Sequence, residues 1–221
     1  MNNEWGNGTI GGIVAEIPAA GSVFKAFGID YCCGGQRKLA DVIAEQGVNR
    51  AELYSALDDE AAKARKNANI TDLGSLSSET LSYYIESTHH SYLRKALPEL
   101  GELFAAVLSA HGVNHPELFD LYRVFGGLRT ELEQHLIKEE VSLFPKLASE
   151  YEDVSALARE IKAEHDSAGK ALRELRRISG DYAVPSDGCP TYEKLFTQLE
   201  RLEDDLHQHI HLENNILLVD L

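Results

Sequence analysis

Basic residues are scarce: 21 Lys and Arg stand against 36 Asp and Glu, a formal net charge of −15. A surface for nucleic-acid backbones or anionic lipid needs a Lys/Arg excess, so nucleic-acid binding and attachment to a membrane surface are disfavoured. Long apolar runs are missing as well. No stretch approaches the roughly 20 residues of a membrane span, and the opening MNNEWGNGTIGG has neither the basic segment nor the apolar run of a signal peptide. The expectation is a cytoplasmic chain with no membrane partner. There are three cysteines, an odd number with two adjacent, Cys32 and Cys33. That pattern fits no disulfide framework and suits a reducing compartment. Strand-like alternation is nowhere comparable in strength with the helical pattern. The remaining composition, 43% apolar and 26% charged over 221 residues, suffices for one good core or two smaller ones.

Glycines punctuate the first part of the chain. Apolar segments at 10–17, 22–27 and 38–45, the last two stopped by Gly28 and Gly47, and a longer one at 49–65 predict four helices. They make a small helical domain, residues 1–66. The polar stretch KNANITDLGSLS, residues 66–77, reads as a linker. A second domain, residues 78–221, comes after it.

Four long apolar seams at steps of three and four fill that second domain. The first carries Tyr83, Glu86, His90, Leu93, Leu97, Leu100, Phe104 and Val107, with Pro98 expected to kink its helix. The second runs Leu118, Leu121, Phe125, Leu128, Leu132, His135, Glu139. On the third lie Val154, Leu157, Ile161, His165, Ala168, Leu172 and Leu175. The fourth has Tyr192, Leu195, Leu199, Leu202, Leu206, His209, Glu213, which repeats the spacing of the second. The fold class expected is all-α, a four-helix bundle preceded by a small helical domain.

Four residues advance a helix by about 400°, so His135 and Glu139 project from one side, as do His209 and Glu213. Burying a carboxylate without a cationic partner is costly. Six polar residues on four core-facing seams, His90, His135, Glu139, His165, His209 and Glu213, therefore point to metal ligands. Four imidazoles and two carboxylates exceed what one tetrahedral zinc takes. They suit two irons with terminal histidines, both carboxylates bridging, and an oxide or hydroxide between the metals. Such a non-haem di-iron centre would leave room for a small ligand.

The other histidines, His89, His111, His115, His207 and His211, fall off the seams or in loops and read as solvated surface. His89 lies on a neighbouring apolar line with Leu81 and Ile85 and could replace His90. Glu131, a turn before His135, and Glu164, beside His165, are candidate acceptors behind the ligands or markers of an ion route. Cys32 and Cys33, in IDYCCGGQRKLADV, precede a helix, which would lower their thiol pKa values and make them redox or iron-transfer thiols. Small buried residues without chemistry are the alternative. Cys189, before the last helix, carries only a weak signal.

IDYCCGG resembles the signature of the short N-terminal domain of the repair-of-iron-centres family, and HHSYLRKALPEL, QHLIKEEVSLFP, AEHDSAG and HIHLENNILL resemble its hemerythrin-like bundle segments. The likeness spans nearly the whole chain. It implies ligands at His90, His135, Glu139, His165, His209 and Glu213, with the spacing to Leu97 and Pro98 selecting His90 over His89, and it places the family's cysteines on Cys32 and Cys33. LLVDL replaces a more usual Leu-Phe-Pro ending. The implied function is stress-response repair of iron–sulfur clusters damaged by oxidants and nitric oxide, by iron donation or nitric oxide reduction at the di-iron centre. Implied partners are proteins with damaged clusters and nitric oxide or oxygen; whether a second copy of the chain joins it as a homodimer stays open. Whether the protein is an enzyme stays open, and a hemerythrin-like oxygen carrier or sensor is the alternative.

Overall fold

The helix stops written as glycine in the first part of the chain are left-handed turns. Four helices, α1 (Ile10–Glu16), α2 (Ala20–Ala26), α3 (Leu39–Gln46) and α4 (Arg50–Lys66), succeed one another there. Thr9 Oγ1 accepts the Gly12 N–H at the start of α1. Gly28 and Gly47 end α2 and α3 at φ of 69° and 66°, a conformation that costs residues with a Cβ about 1 kcal/mol or more. The helices bury Ile10, Ile13, Phe24, Leu39, Val42, Leu53 and Leu57 in a common core.

The structure, a computed structural model, describes residues 5–66, 73–149 and 153–221. Of the expected linker, residues 67–72 lie outside the described residues, and a 3-10 turn (Leu73–Ser75) leads out of it. Among the described residues there is no strand, only an isolated antiparallel bridge between Thr9 and Lys38. No described helix is long and apolar enough to cross a membrane.

The helices that follow are α5 (Ser78–Ile85), α6 (Ser91–His111), α7 (Glu117–Lys138), α8 (Phe144–Leu147), α9 (Ser155–Ile178) and α10 (Pro190–Leu212). The chain is all-α, and its second part is a helical bundle. Every seam residue of α7 from Leu118 to Leu132 is buried, as are Ile161, Ala168, Leu172 and Leu175 of α9. α6 runs unbroken through Pro98. At the bundle core Phe104 stacks on Phe125 at 4.9 Å and meets Tyr122 at 5.4 Å. Phe104→Ala is expected to lower the unfolding free energy by about 3–5 kcal/mol, read by denaturant titration, because this ring is fully buried and its loss leaves a void in the core.

The residues pack as two compact units, one comprising the chain up to Leu81 together with His207–Leu221, the other Ser82–Leu206. α10 begins in the second unit and ends in the first.

Three π-helical turns interrupt the long helices, at Glu86–His90, Glu139–Leu143 and Glu213–Leu217. Each adds a residue to a turn and rotates the rest of the helix about its axis. This alters the first seam read from sequence. Tyr83 and Glu86 are exposed, Tyr83 at 72%, while Leu81 and Ile85 are buried. The inward line passes from Ile85 to His90 by a step of five, which only a π turn allows. At the second π turn, Pro145 has no N–H to give back along the helix, so one rung of the ladder is missing nearby.

Candidate metal centre

All three π turns contain a residue of the expected ligand set: His90 ends the first, Glu139 starts the second and Glu213 starts the third. Within the Ser82–Leu206 unit, His90, His135, Glu139 and His165 converge. Glu139 is 0% exposed, and the three imidazoles are exposed by 5% or less. Its Oε2 lies 3.3 Å from His90 Nε2, and its Oε1 lies 3.2 Å from His135 Nε2 and 3.9 Å from His165 Nε2. The two oxygens of one carboxylate thus address different imidazoles. His135 Nε2 and His165 Nε2 are 3.2 Å apart.

The outer nitrogens of two of these rings are tied down. His90 Nδ1 donates to Glu140 Oε1 at 2.7 Å, and His135 Nδ1 donates to Glu164 Oε2 at 2.7 Å. An ionised carboxylate has no proton to give, so each Nδ1 carries the hydrogen and each Nε2 turns its lone pair inward. Arg94 forks onto Glu140 at 2.5 and 2.6 Å, and Lys138 pairs with Glu164. The bond from His135, with help from Lys138, holds Glu164 down at about 2 despite partial burial. Burial acts to raise Glu140, but the bonds from His90 and Arg94 outweigh it and lower its pKa. Both carboxylates therefore stay ionised as hydrogen-bond acceptors across the working pH range.

With metal–ligand bonds of about 2.1 Å, neighbouring donor atoms stand about 3.0 Å apart across a right angle and about 4.2 Å across a straight line. The separations of 3.2, 3.2 and 3.9 Å among His135, His165 and Glu139 fall inside that range. Nitrogen lone pairs and a buried carboxylate at these distances repel one another unless a cation sits among them. The donor set, imidazole with carboxylate and no thiolate, suits iron.

His209 and Glu213 belong to the other unit and repeat the local geometry. Nε2 to Oε1 is 3.2 Å, and the two side chains are 1% and 0% exposed. Glu131 is exposed and accepts from Ser167 Oγ at 3.2 Å. Glu140 carries no signal of its own in the sequence. It adjoins Glu139, and only the π turn aims consecutive glutamates at the two nitrogens of His90.

Two expectations need correction. His89 and His211 are not solvated surface. His89 is buried and bonds Asp205 at 2.9 Å, away from Glu139. His211 is buried against Tyr31, and burial lowers its pKa to about 4. The second correction concerns Cys32. Its thiol is not lowered by a helix terminus, since α3 starts only at Leu39. The hydrogen bond with Cys33, burial and the nearby Asp30 carboxylate raise it well above the ordinary value. Asp30 Oδ1 accepts the N–H groups of Cys32, Cys33 and Gly34, and the two sulfurs are 3.8 Å apart. Cys189 behaves otherwise: the N–H of Tyr192 and the His111 side chain lower it to about 7.

Residues 82–220 match the family described as the hemerythrin HHE cation binding domain. The chain belongs to that family. Residues 6–61 match the ScdA N-terminal family, described as a domain of unknown function. Family members that resemble the chain over almost its whole length are iron–sulfur cluster repair proteins. One is the probable iron–sulfur cluster repair protein of Haemophilus influenzae, 32% identical over 93% of this chain and 92% of its own. Another, YtfE of an Enterobacter species, is 30% identical over 94% and 93%. ScdA of Staphylococcus haemolyticus is 28% identical over 93% of both chains. The family that the cysteine and histidine motifs suggested is thus the one to which the chain belongs.

Proposed function

We propose that the protein is a di-iron protein that repairs or protects iron–sulfur clusters under oxidative and nitrosative stress. Its centre is made by His90, His135, Glu139, His165, His209 and Glu213. The observation that carries this reading is Glu139, a fully buried carboxylate whose two oxygens lie against imidazoles of different helices. A carboxylate so placed would be able to hold a metal on each of its two oxygens. His209 and Glu213 supply the second half, supported by the same spacing, the same 3.2 Å contact and the same burial as His135 and Glu139.

Two irons held this way supply open coordination positions and one-electron chemistry for a ligand as small as nitric oxide. The protein's own part is different. Glu140 and Glu164 hold the inward lone pairs of His90 and His135 in place, and Phe144, stacked on His90 at 5.6 Å, keeps that ring from turning. Cys32 and Cys33, beside Asp30 in one corner of the N-terminal unit, are the candidate thiols for iron in transit. The setting is a reducing cytoplasm, and the partners are proteins with damaged clusters.

Iron analysis with Mössbauer spectroscopy tests the centre: two irons per chain in an antiferromagnetically coupled pair are expected, and zinc alone or no metal would overturn it. Transfer of iron to an apo iron–sulfur protein then marks a donor, and consumption of nitric oxide by the reduced protein marks a reductase. Reversible oxygen binding with neither activity would mark a carrier. Glu140→Ala is expected to weaken iron binding by about 10–100-fold while leaving the fold intact, measured by competition with a chelator.

A further inference from the structure

Two adjacent buried histidines meet at the first π turn, and they belong to different helical phases. His89 is 4% exposed and His90 0%. Ile85, the fully buried last residue of α5, lies four residues before His89, the step of an ordinary α-helix. His90 instead keeps step with the buried Leu93, Leu97 and Leu100 of α6. The phase changes between the two histidines because the Ser91 N–H reaches back five residues to the Glu86 carbonyl, which admits one extra residue to the turn. A π turn placed one turn later would carry the line of Ile85 on to His89 and turn His90 aside. The position of the turn therefore decides which imidazole faces Glu139.

His89 is held elsewhere. Its Nδ1 donates to Asp205 Oδ1 at 2.9 Å, across 116 residues of chain, and its ring meets the edge of Tyr84 at 6.2 Å. Asp205 lies near the end of α10, within the same Ser82–Leu206 unit, and its side chain is mostly covered. A carboxylate acceptor makes such a bond stronger than one between neutral groups. We propose that Asp205 is a positioning residue: by holding His89 it fixes the π turn at Glu86–His90 and so selects His90 as the ligand. The inference rests on the metal centre proposed above, on which Asp205 acts through His89 and not as a donor. Its role is separate from that of Glu140 and Phe144, which orient the ring of an imidazole already chosen.

Iron affinity of the full-length chain, measured by competition with a chelator and paired with helical content from circular dichroism, tests this. Asp205→Ala is expected to weaken iron binding by about tenfold or more at unchanged helical content. Asp205→Asn, which keeps an acceptor for the His89 N–H, should stay close to wild type. In a His90→Ala background the sign should reverse, because losing Asp205 frees His89 to turn inward. His90→Ala with Asp205→Ala is thus expected to bind iron about tenfold tighter than His90→Ala alone, a non-additivity that only coupled residues show. Adding His89→Ala should abolish the gain. Asp205→Ala that binds iron as tightly as wild type would overturn the proposal. Weakening by the same factor in both backgrounds would overturn it too, and would mark Asp205 as a packing residue. Wild type without iron would overturn the centre itself, and the selection of His90 with it.

Discussion

Glu139→Ala is expected to lose at least half of the bound iron, and its two states of metal loading should respond in opposite directions. In the loaded protein the substitution removes an oxygen donor from the His90 side and another from the His135 side at once. Ligands that bind only the folded state contribute about 2.7 kcal/mol each at a hundredfold excess over Kd. Losing one such ion lowers Tm by about 5–10 °C for a chain of this size. In the metal-free protein Glu139 is a fully buried carboxylate among imidazoles. Its removal relieves a desolvation cost, so the apo variant should be as stable as the apo wild type or more so. Calorimetry of both forms with iron analysis reads the difference. Unchanged iron content would reject the bridging role, and a large loss of apo stability would show Glu139 to be a structural hydrogen-bonding residue instead.

Gly35→Ala should damage the N-terminal unit almost as much, through a residue 180 positions away in the chain. A Cβ at Gly35 would lie 2.3 Å from Asn215 Oδ1 and 2.6 Å from Nδ2. Asn215 cannot step aside at low cost. Its Nδ2 donates to the carbonyls of Tyr31 at 3.3 Å and Cys32 at 3.0 Å, and its Oδ1 accepts from Gln36 at 3.2 Å. Gly11 presses on the same side chain from α1, where a Cβ would come within 2.5 Å. Overpacking of about 1–3 kcal/mol, together with two carbonyls losing their donor, gives an expected cost of about 3–5 kcal/mol. Asn215→Ala alone should cost about 2 kcal/mol. The double variant should cost less than the sum by at least 1 kcal/mol or so, because the clash vanishes with the amide. Additivity of the two changes in denaturant unfolding would refute the contact.

Much of the helical architecture was legible because helix periodicity is local. Leu118 to Glu139 keep one face over six steps, and all are buried. Gly28 and Gly47 mark helix ends because only a residue without a Cβ enters the left-handed region freely. The π turns were not legible, since a single inserted residue changes no composition and breaks the three-and-four rule for one step only. That is why Tyr83 and Glu86 were placed on a seam they do not join, and why nothing local distinguishes His90 from His89 beyond resemblance. The surface reading of His211 failed for another reason. The last helix is covered on that side by Tyr31, a residue of a loop whose position no pattern within 207–221 encodes.

Alone, the sequence determined an all-α chain, four apolar seams that carry four histidines and two glutamates between them, and a matched pair of His-x-x-x-Glu steps, because each follows from about 100° of rotation per residue. Tertiary structure decided what stands behind those residues: Glu140 on His90, Glu164 on His135, Asn215 on the Cys32 loop and Asp187 on His115. These partners lie 29 to 183 residues apart, and contacts at such separations come from the packing of whole helices and loops, which no local period specifies.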